Sequence, residues 1–434
     1  SAAAHDRPRA HRARLRLISH EPRRTRSWEP FQPVQSQKES GDVRCFVRWS
    51  LDTSVIPRPS REVAEAAARA EQDVDSLGVQ SVVEFLKVLF QDLTEELARK
   101  AALGVMLLPV EPLPTTGPEI APYELATLRH YMRYAAAAYG PAVLNKYFYT
   151  EKPIPTASNF MDMWLEGVKT HLGNNCRLVH AEPASTWIRP AYFIAVDGRS
   201  RSLVLAIRGT LSAEDVIVDL KVSEADAPWG KAHAGMYEGA CELLHEATPM
   251  LEKAAADFGV EQIVVTGHSL GAGVATYASV LIDNAQKRSW KKLPVHCFAY
   301  GVPGVAPSAV SETMGEGRVT ITSVVNAYDW ICRLSHGHFL CLLQRGAEAS
   351  DQKAAEVSAS LGLAPRELKA SPSEILREKM YPPGRIVLLD NGHARKFSWQ
   401  QFQFLSIHPS MFGAHLPHAY EAALTEACKK IGVQ

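Results

Sequence analysis

The sequence has no surplus charge of either sign. Its 47 Lys and Arg are matched by 47 Asp and Glu, for a formal net charge of +0. No global field therefore steers the chain towards nucleic acid or an anionic membrane. A long apolar run is also missing. A helix needs about 20 consecutive apolar residues to cross a bilayer, and the stretch Ala101–Val110 is only half long enough. No signal-peptide core stands at the start. Cysteine is sparse and unpatterned: seven residues, an odd number, with no C-x-x-C pair. That argues against a disulfide framework and a structural zinc site, and suits a reducing compartment.

What remains is an ordinary soluble composition, 46% hydrophobic and 22% charged over 434 residues. Such a chain suits one large domain with extensions. Residues 1–60 read as a basic, Pro-rich tail and linker, 61–118 as a helical extension, and 119–434 as the main domain with a polar insertion at 336–381. The tail carries eight arginines before residue 30 (Arg7, Arg9, Arg12, Arg14, Arg16, Arg23, Arg24, Arg26) against Asp6, Glu21 and Glu29. Arg-rich, acid-poor composition suits a mitochondrial or plastid transit segment. A solvated basic tail on a cytoplasmic protein is the plain alternative, and such a tail offers a surface for a protein complex. In the extension, Ser81-Val82-Val83-Glu84 is a capping box, and Phe85, Leu89, Leu93 and Leu97 share one helix face.

Beyond Pro122 the pattern alternates. Tyr192–Val196 and Leu203–Ile207 read as strands joined at Asp197-Gly198. Ala234–Phe258 and Leu270–Asn284 read as helices, and Ile263–Val265, Val295–Tyr300, Val319–Val325 and Arg385–Leu389 as strands. A last helix is expected from about Leu416 to Ile431. Strands separated by helices predict an α/β domain with a mostly parallel central sheet flanked by helices.

The sharpest motif is Gly267-His268-Ser269-Leu270-Gly271. The pentapeptide alone is weak. Here an apolar strand candidate, Gln262–Thr266, stands directly before it and a helix directly after. A serine at such a junction sits on a strained turn that pushes its Oγ into solvent, beside a helix N-terminus. A glycine-lined structural turn is the plainer reading. A serine hydroxyl needs a base, and in strand–elbow–helix hydrolases the order is Ser, acid, His. Asp329 ends a later strand, whereas Asp283 lies on the helix leading away from the elbow. Spacing leaves four histidines open: His393, His408, His415 and His418. Two N–H groups must also face the oxyanion. Leu270 follows the nucleophile, and Arg208-Gly209-Thr210 ends an earlier strand.

Assembled, the chain resembles the class 3 lipases, in particular the sn-1-specific diacylglycerol lipase branch. The resemblance is carried by Ile207-Arg208-Gly209-Thr210-Leu211-Ser212, His233-Ala234-Gly235-Met236, the segment Val264–Gly273, Asn326 with Asp329, and Pro409-Ser410-Met411 leading to His415-Leu416-Pro417. It implies an α/β-hydrolase fold, a catalytic triad of Ser269, Asp329 and His415, and an oxyanion hole of Thr210 and Leu270. Ser212–Leu220 resembles a lipase lid. The expected activity is serine lipase or esterase chemistry on di- or monoacylglycerols or related glycerolipids at a membrane or lipid surface, with no metal or other cofactor. The alternative is a non-catalytic lipase-fold subunit of a larger organelle complex.

Overall fold

The run Tyr192-Phe193-Ile194-Ala195-Val196 is apolar at every position rather than every second one, and a strand of that kind must be covered on both faces. In the computed structural model it is covered, with every residue of the strand buried. The structure describes residues 108, 110–148, 160–186, 188–210, 224–284, 292–314, 317–335, 379–405, 408 and 410–433, with positions scattered through 337–352. The basic tail, nearly all of the helical extension, the lid-like stretch from Leu211 and the centre of the 336–381 insertion lie outside the described residues.

In chain order the described helices are α1 (Pro122–Ala137), α2 (Pro141–Tyr147), α3 (Phe160–Leu172), α4 (Ala234–Phe258), α5 (Leu270–Asn284), α6 (Ser308–Ser311), α7 (Met411–His415) and α8 (Pro417–Lys430). The strands are β1 (Cys176–Glu182), β2 (Tyr192–Asp197), β3 (Ser202–Ile207), β4 (Glu224–Ala227), β5 (Gly230–His233), β6 (Gln262–His268), β7 (Val295–Tyr300), β8 (Ala306–Pro307), β9 (Val319–Asn326), β10 (Met380–Tyr381), β11 (Arg385–Asp390) and β12 (His393–Phe397). Eight of them form one sheet in the order β1-β2-β3-β6-β7-β9-β11-β12. The run from β3 to β11 is parallel, and antiparallel strands flank it on both sides. β4 pairs with β5 and β8 with β10 outside this sheet. This is the mostly parallel sheet flanked by helices that the alternation of apolar runs and helical stretches implies, and it fits the α/β-hydrolase fold implied by the resemblance.

Each face of the sheet takes alternate residues. Ile263 and Val265 of β6, with Val295, Cys297 and Ala299 of β7, pack under α4 and α5. Val264 faces the other way, where α1 and α3 cover β2, β3 and β6 through Tyr134, Trp164 and Val168. On that side α1 and α8 together cover Tyr300, Val324 and Val387. The parallel strands all end on one rim, and the elbow stands there.

The last helix, α8, is found within a residue of its expected bounds at each end. A short helix precedes it: α7 stops at His415 and α8 starts at Pro417, with Leu416 extended between them (φ −68°, ψ 142°). Proline has no N–H and its ring disfavours the helical conformation of the residue before it, so the chain breaks at Leu416. His415 thereby gains an orientation independent of α8.

Candidate active site

β6 runs parallel to β3, with Ile207 opposite Gly267. It ends at His268, and α5 begins at Leu270, so Ser269 alone makes the turn. It does so with a φ of 61°, in the left-handed region that a side chain adopts at a cost of about 1–2 kcal/mol. The flanking glycines make the turn sterically feasible. A Cβ on Gly267 would stand 2.3 Å from the Gly271 carbonyl oxygen, and one on Gly271 would stand 2.5 Å from that of Ile207. The Ser269 N–H donates to the Tyr300 carbonyl at 2.9 Å, tying the elbow to β7. Ser269 is not open to solvent as the motif suggests: it is 1% exposed, because His415 lies over it.

His415 Nδ1 is 2.9 Å from Asp329 Oδ2, and Nε2 is 2.9 Å from Ser269 Oγ. A carboxylate accepts, so the ring proton sits on Nδ1 and the bare Nε2 is left to receive the serine proton. Asp329 follows β9, is fully buried, and also accepts from the Ile331 N–H at 2.9 Å. A serine, an imidazole and a carboxylate thus form one hydrogen-bonded line, an arrangement that can move a proton off Ser269 as its oxygen attacks an electrophile.

Several groups that complete the site escape a reading of motifs. The Tyr420 hydroxyl, from α8, donates to Asp329 Oδ2 at 2.5 Å and accepts from the Asn326 N–H at 3.1 Å. Burial, and then the neighbouring Asp329, raise the Tyr420 phenol well above its usual pKa, so it remains a donor. The Cys332 thiol, also pushed well up by burial, lies 3.7 Å from the same oxygen. Gly301 follows β7 with a φ of 61°, and a Cβ there would meet His415 Cε1 at 3.0 Å and Asp329 Oδ2 at 3.1 Å. The tyrosine five residues after the histidine, and a glycine ending the strand after the elbow, were the available signals.

Thr210 lies just past β3, on the same rim as the elbow. Its Oγ1 is buried and has no hydrogen-bond partner among the described residues. An orphaned buried hydroxyl costs stability unless something else uses it. Leu270 is the first residue of α5, where helix N–H groups have no intrahelical partner. A groove of about 640 Å³ lined by Tyr123, Gln262, Val264, His296, Phe298 and Arg385 includes none of these residues, and lies towards the opposite ends of the strands. Among the described residues no cluster of His, Cys, Asp or Glu could hold a metal ion, and no helix is long and apolar enough to cross a membrane.

Residues 204–339 match the family described as Lipase (class 3). Over that segment the chain is similar to the class 3 lipases. Two relatives of the chain are diacylglycerol lipase-alpha of Rattus norvegicus, 26% identical over 293 residues (54% of this chain, 27% of the relative), and diacylglycerol lipase-beta of Mus musculus, 28% identical over 154 residues (33% of this chain, 22% of the relative). The chain thus spans only about a quarter of the length of the diacylglycerol lipases it matches. Among solved structures, the triacylglyceride lipase of Rhizomucor miehei superimposes with a TM-score of 0.45 at 14% identity, covering 70% of this chain and 93% of that one. The family match spans Thr210, Ser269, Leu270 and Asp329 but stops before His415.

Three other late histidines are engaged elsewhere. His393, on β12, contacts Glu119 at 2.8 Å and Lys430 at 2.6 Å. His408 stacks on Tyr328 with ring centroids 3.8 Å apart. His418 stacks on Tyr147 at 4.8 Å.

Proposed function

We propose that the chain is a class 3 lipase, a serine carboxyl-ester hydrolase acting on di- or monoacylglycerols or related glycerolipids. The observation that carries the reading is the line Ser269–His415–Asp329 on a strained elbow. Ser269 Oγ attacks the ester carbonyl while His415 Nε2 takes its proton. Asp329 steadies the imidazolium that forms, and Tyr420 steadies Asp329. The oxygen that becomes negative is received by the N–H groups of Thr210 and Leu270 and by the Thr210 hydroxyl. His415 then returns its proton to the leaving alcohol, and water repeats the sequence to free the acid. The glycerolipid class rests on the diacylglycerol lipase relatives, and a lipid surface is the natural place to meet such a substrate. The organelle destination rests on the Arg-rich composition of residues 1–30 alone, and import of a reporter fused to that segment tests it.

Fluorophosphonate labelling tests the chemistry most directly. The label is expected on Ser269. Ser269→Ala and His415→Ala are expected to fold and to lose ester hydrolysis by on the order of 10⁴–10⁶ in kcat. His393→Ala, His408→Ala and His418→Ala should keep most activity. A Ser269→Ala variant that still hydrolyses short-chain esters at near the parent rate would remove the assignment. A panel of diacylglycerol, monoacylglycerol and phospholipid then fixes the substrate.

A further inference from the structure

The residue before the nucleophile takes no part in the chemistry described above, yet it is among the most enclosed titratable groups in the domain. His268 is 1% exposed. Its Nε2 lies 2.6 Å from the main-chain carbonyl oxygen of His415. A carbonyl only accepts, so Nε2 carries the ring proton and donates. Nδ1 is then bare, and the Tyr139 hydroxyl, 2.8 Å away, donates to it. Burial, and then the nearness of His415, hold this imidazole well below its ordinary pKa. Burial raises the Tyr139 phenol above its ordinary value, so the donor is retained. The His268 ring is therefore neutral and locked in one tautomer.

The carbonyl it grips has no helical partner. His415 ends α7, and the terminal carbonyls of a helix need hydrogen-bond donors from outside it. The carbonyl before it, of Ala414, accepts from Asn326 Nδ2 at 2.9 Å. Asn326 is the last residue of β9 and His268 the last of β6. Two parallel strand ends thus hold the end of the short helix that carries the base.

Resting on the ester-hydrolase reading, we propose that His268, fixed by Tyr139, is a positioning residue: its Nε2–H holds the His415 backbone and so places the imidazole over Ser269. Its neutrality matters as well. The two imidazole rings stand 4.7 Å apart, and a second positive charge at that distance would oppose the cation His415 becomes during the reaction.

The test compares His268→Leu, which keeps bulk without a donor, with His268→Gln, which reaches towards the Nε2 position with an amide N–H. His268→Leu should lower kcat about 10–100-fold on a soluble ester with KM nearly unchanged, since a displacement of about 1 Å can cost about a hundredfold. His268→Gln should recover much of that loss. The far-downfield NMR resonance of the proton between His415 and Asp329 reads the same geometry without turnover. It should persist in the parent and in His268→Gln and disappear in His268→Leu. Equal kcat and equal resonances in the two variants would overturn the strap. If the parent hydrolyses no ester, the functional reading falls while the resonance still decides the strap. Should His268→Leu fail to fold, Tyr139→Phe carries the test. That change frees the His268 ring to turn and should lower kcat several-fold, and an unchanged kcat and resonance there would also overturn the proposal.

Discussion

A single methyl group added at Gly301 should disarm the base without replacing any of Ser269, His415 and Asp329. Gly301 holds a φ of 61°, and an alanine Cβ there would stand 3.0 Å from His415 Cε1 and 3.1 Å from both His415 Nδ1 and Asp329 Oδ2. Non-bonded carbon contacts are most favourable at about 3.5–4.0 Å, so the Asp329–His415 pair must retreat by about half an ångström. If a full ångström of misplacement costs about a hundredfold, half of one costs about tenfold in kcat. Stability pays twice, about 1–2 kcal/mol for the left-handed backbone and about 1–3 kcal/mol for overpacking. Gly259 supplies the control, because its φ is 55° but nothing lies within 4 Å of its Cβ position. Gly259→Ala should lose only the backbone part of the stability and keep its kcat. Steady-state kinetics on a soluble ester, with urea unfolding of both variants, separates the effects. The reasoning fails if Gly301→Ala keeps kcat within about twofold, or if Gly259→Ala loses as much.

Three further outcomes are expected. Thr210→Val deletes a buried hydroxyl that has no partner among the described residues and should cost about 10²–10³ in kcat; an unchanged kcat would leave only the Thr210 main-chain N–H in the oxyanion role. Tyr420→Phe removes a donor to a carboxylate and strands the Asn326 N–H, so urea unfolding should show a loss of about 1.5–3 kcal/mol, and no measurable loss would discount the Tyr420 bond. Acid should destabilise the fold as pH falls below the ordinary histidine value: burial, with Lys379 adding to it, holds His338 down at about 3 against an ordinary 6.5. Between those values the unfolded chain holds a proton the folded chain does not, so stability falls as pH drops through that window, by up to about 1.4 kcal/mol per pH unit. Stability that stays flat from pH 6.5 down to about 4.5 would contradict a buried neutral His338.

The chain signalled its strands where apolar runs are continuous, and Val295–Tyr300 is found at the expected bounds. β1 and β12 passed unnoticed because edge strands mix polar residues into the pattern: Cys176–Glu182 has no fully buried residue, and His393–Phe397 has one. The elbow was legible because a glycine-flanked serine between a strand and a helix is a local event. The histidine was not legible from spacing, since four late histidines were chemically equal until the chain folded. What separates them is non-local: Glu119 and Lys430 engage His393, Tyr328 stacks on His408, and Tyr147 stacks on His418. The break at Leu416 was written in Pro417, whose effect on the preceding residue frees His415 from the axis of α8. Tyr420 and Gly301 carried only their positions as a signal, and their importance arises from what the fold places beside them.

Ser269 and His415 are separated by 146 positions along the chain, and Asp329 and His415 by 86. During synthesis the elbow therefore emerges long before the group that can deprotonate it. The parallel strands around Ser269 can pair while the serine is still chemically idle, and reactivity appears only once α7 and α8 have docked over the strand ends. Closing so long a loop is among the slower steps in folding. On the proposed mechanism a refolding experiment should accordingly show sheet formation ahead of the return of fluorophosphonate labelling, so that the reactivity of Ser269 times the completion of the fold.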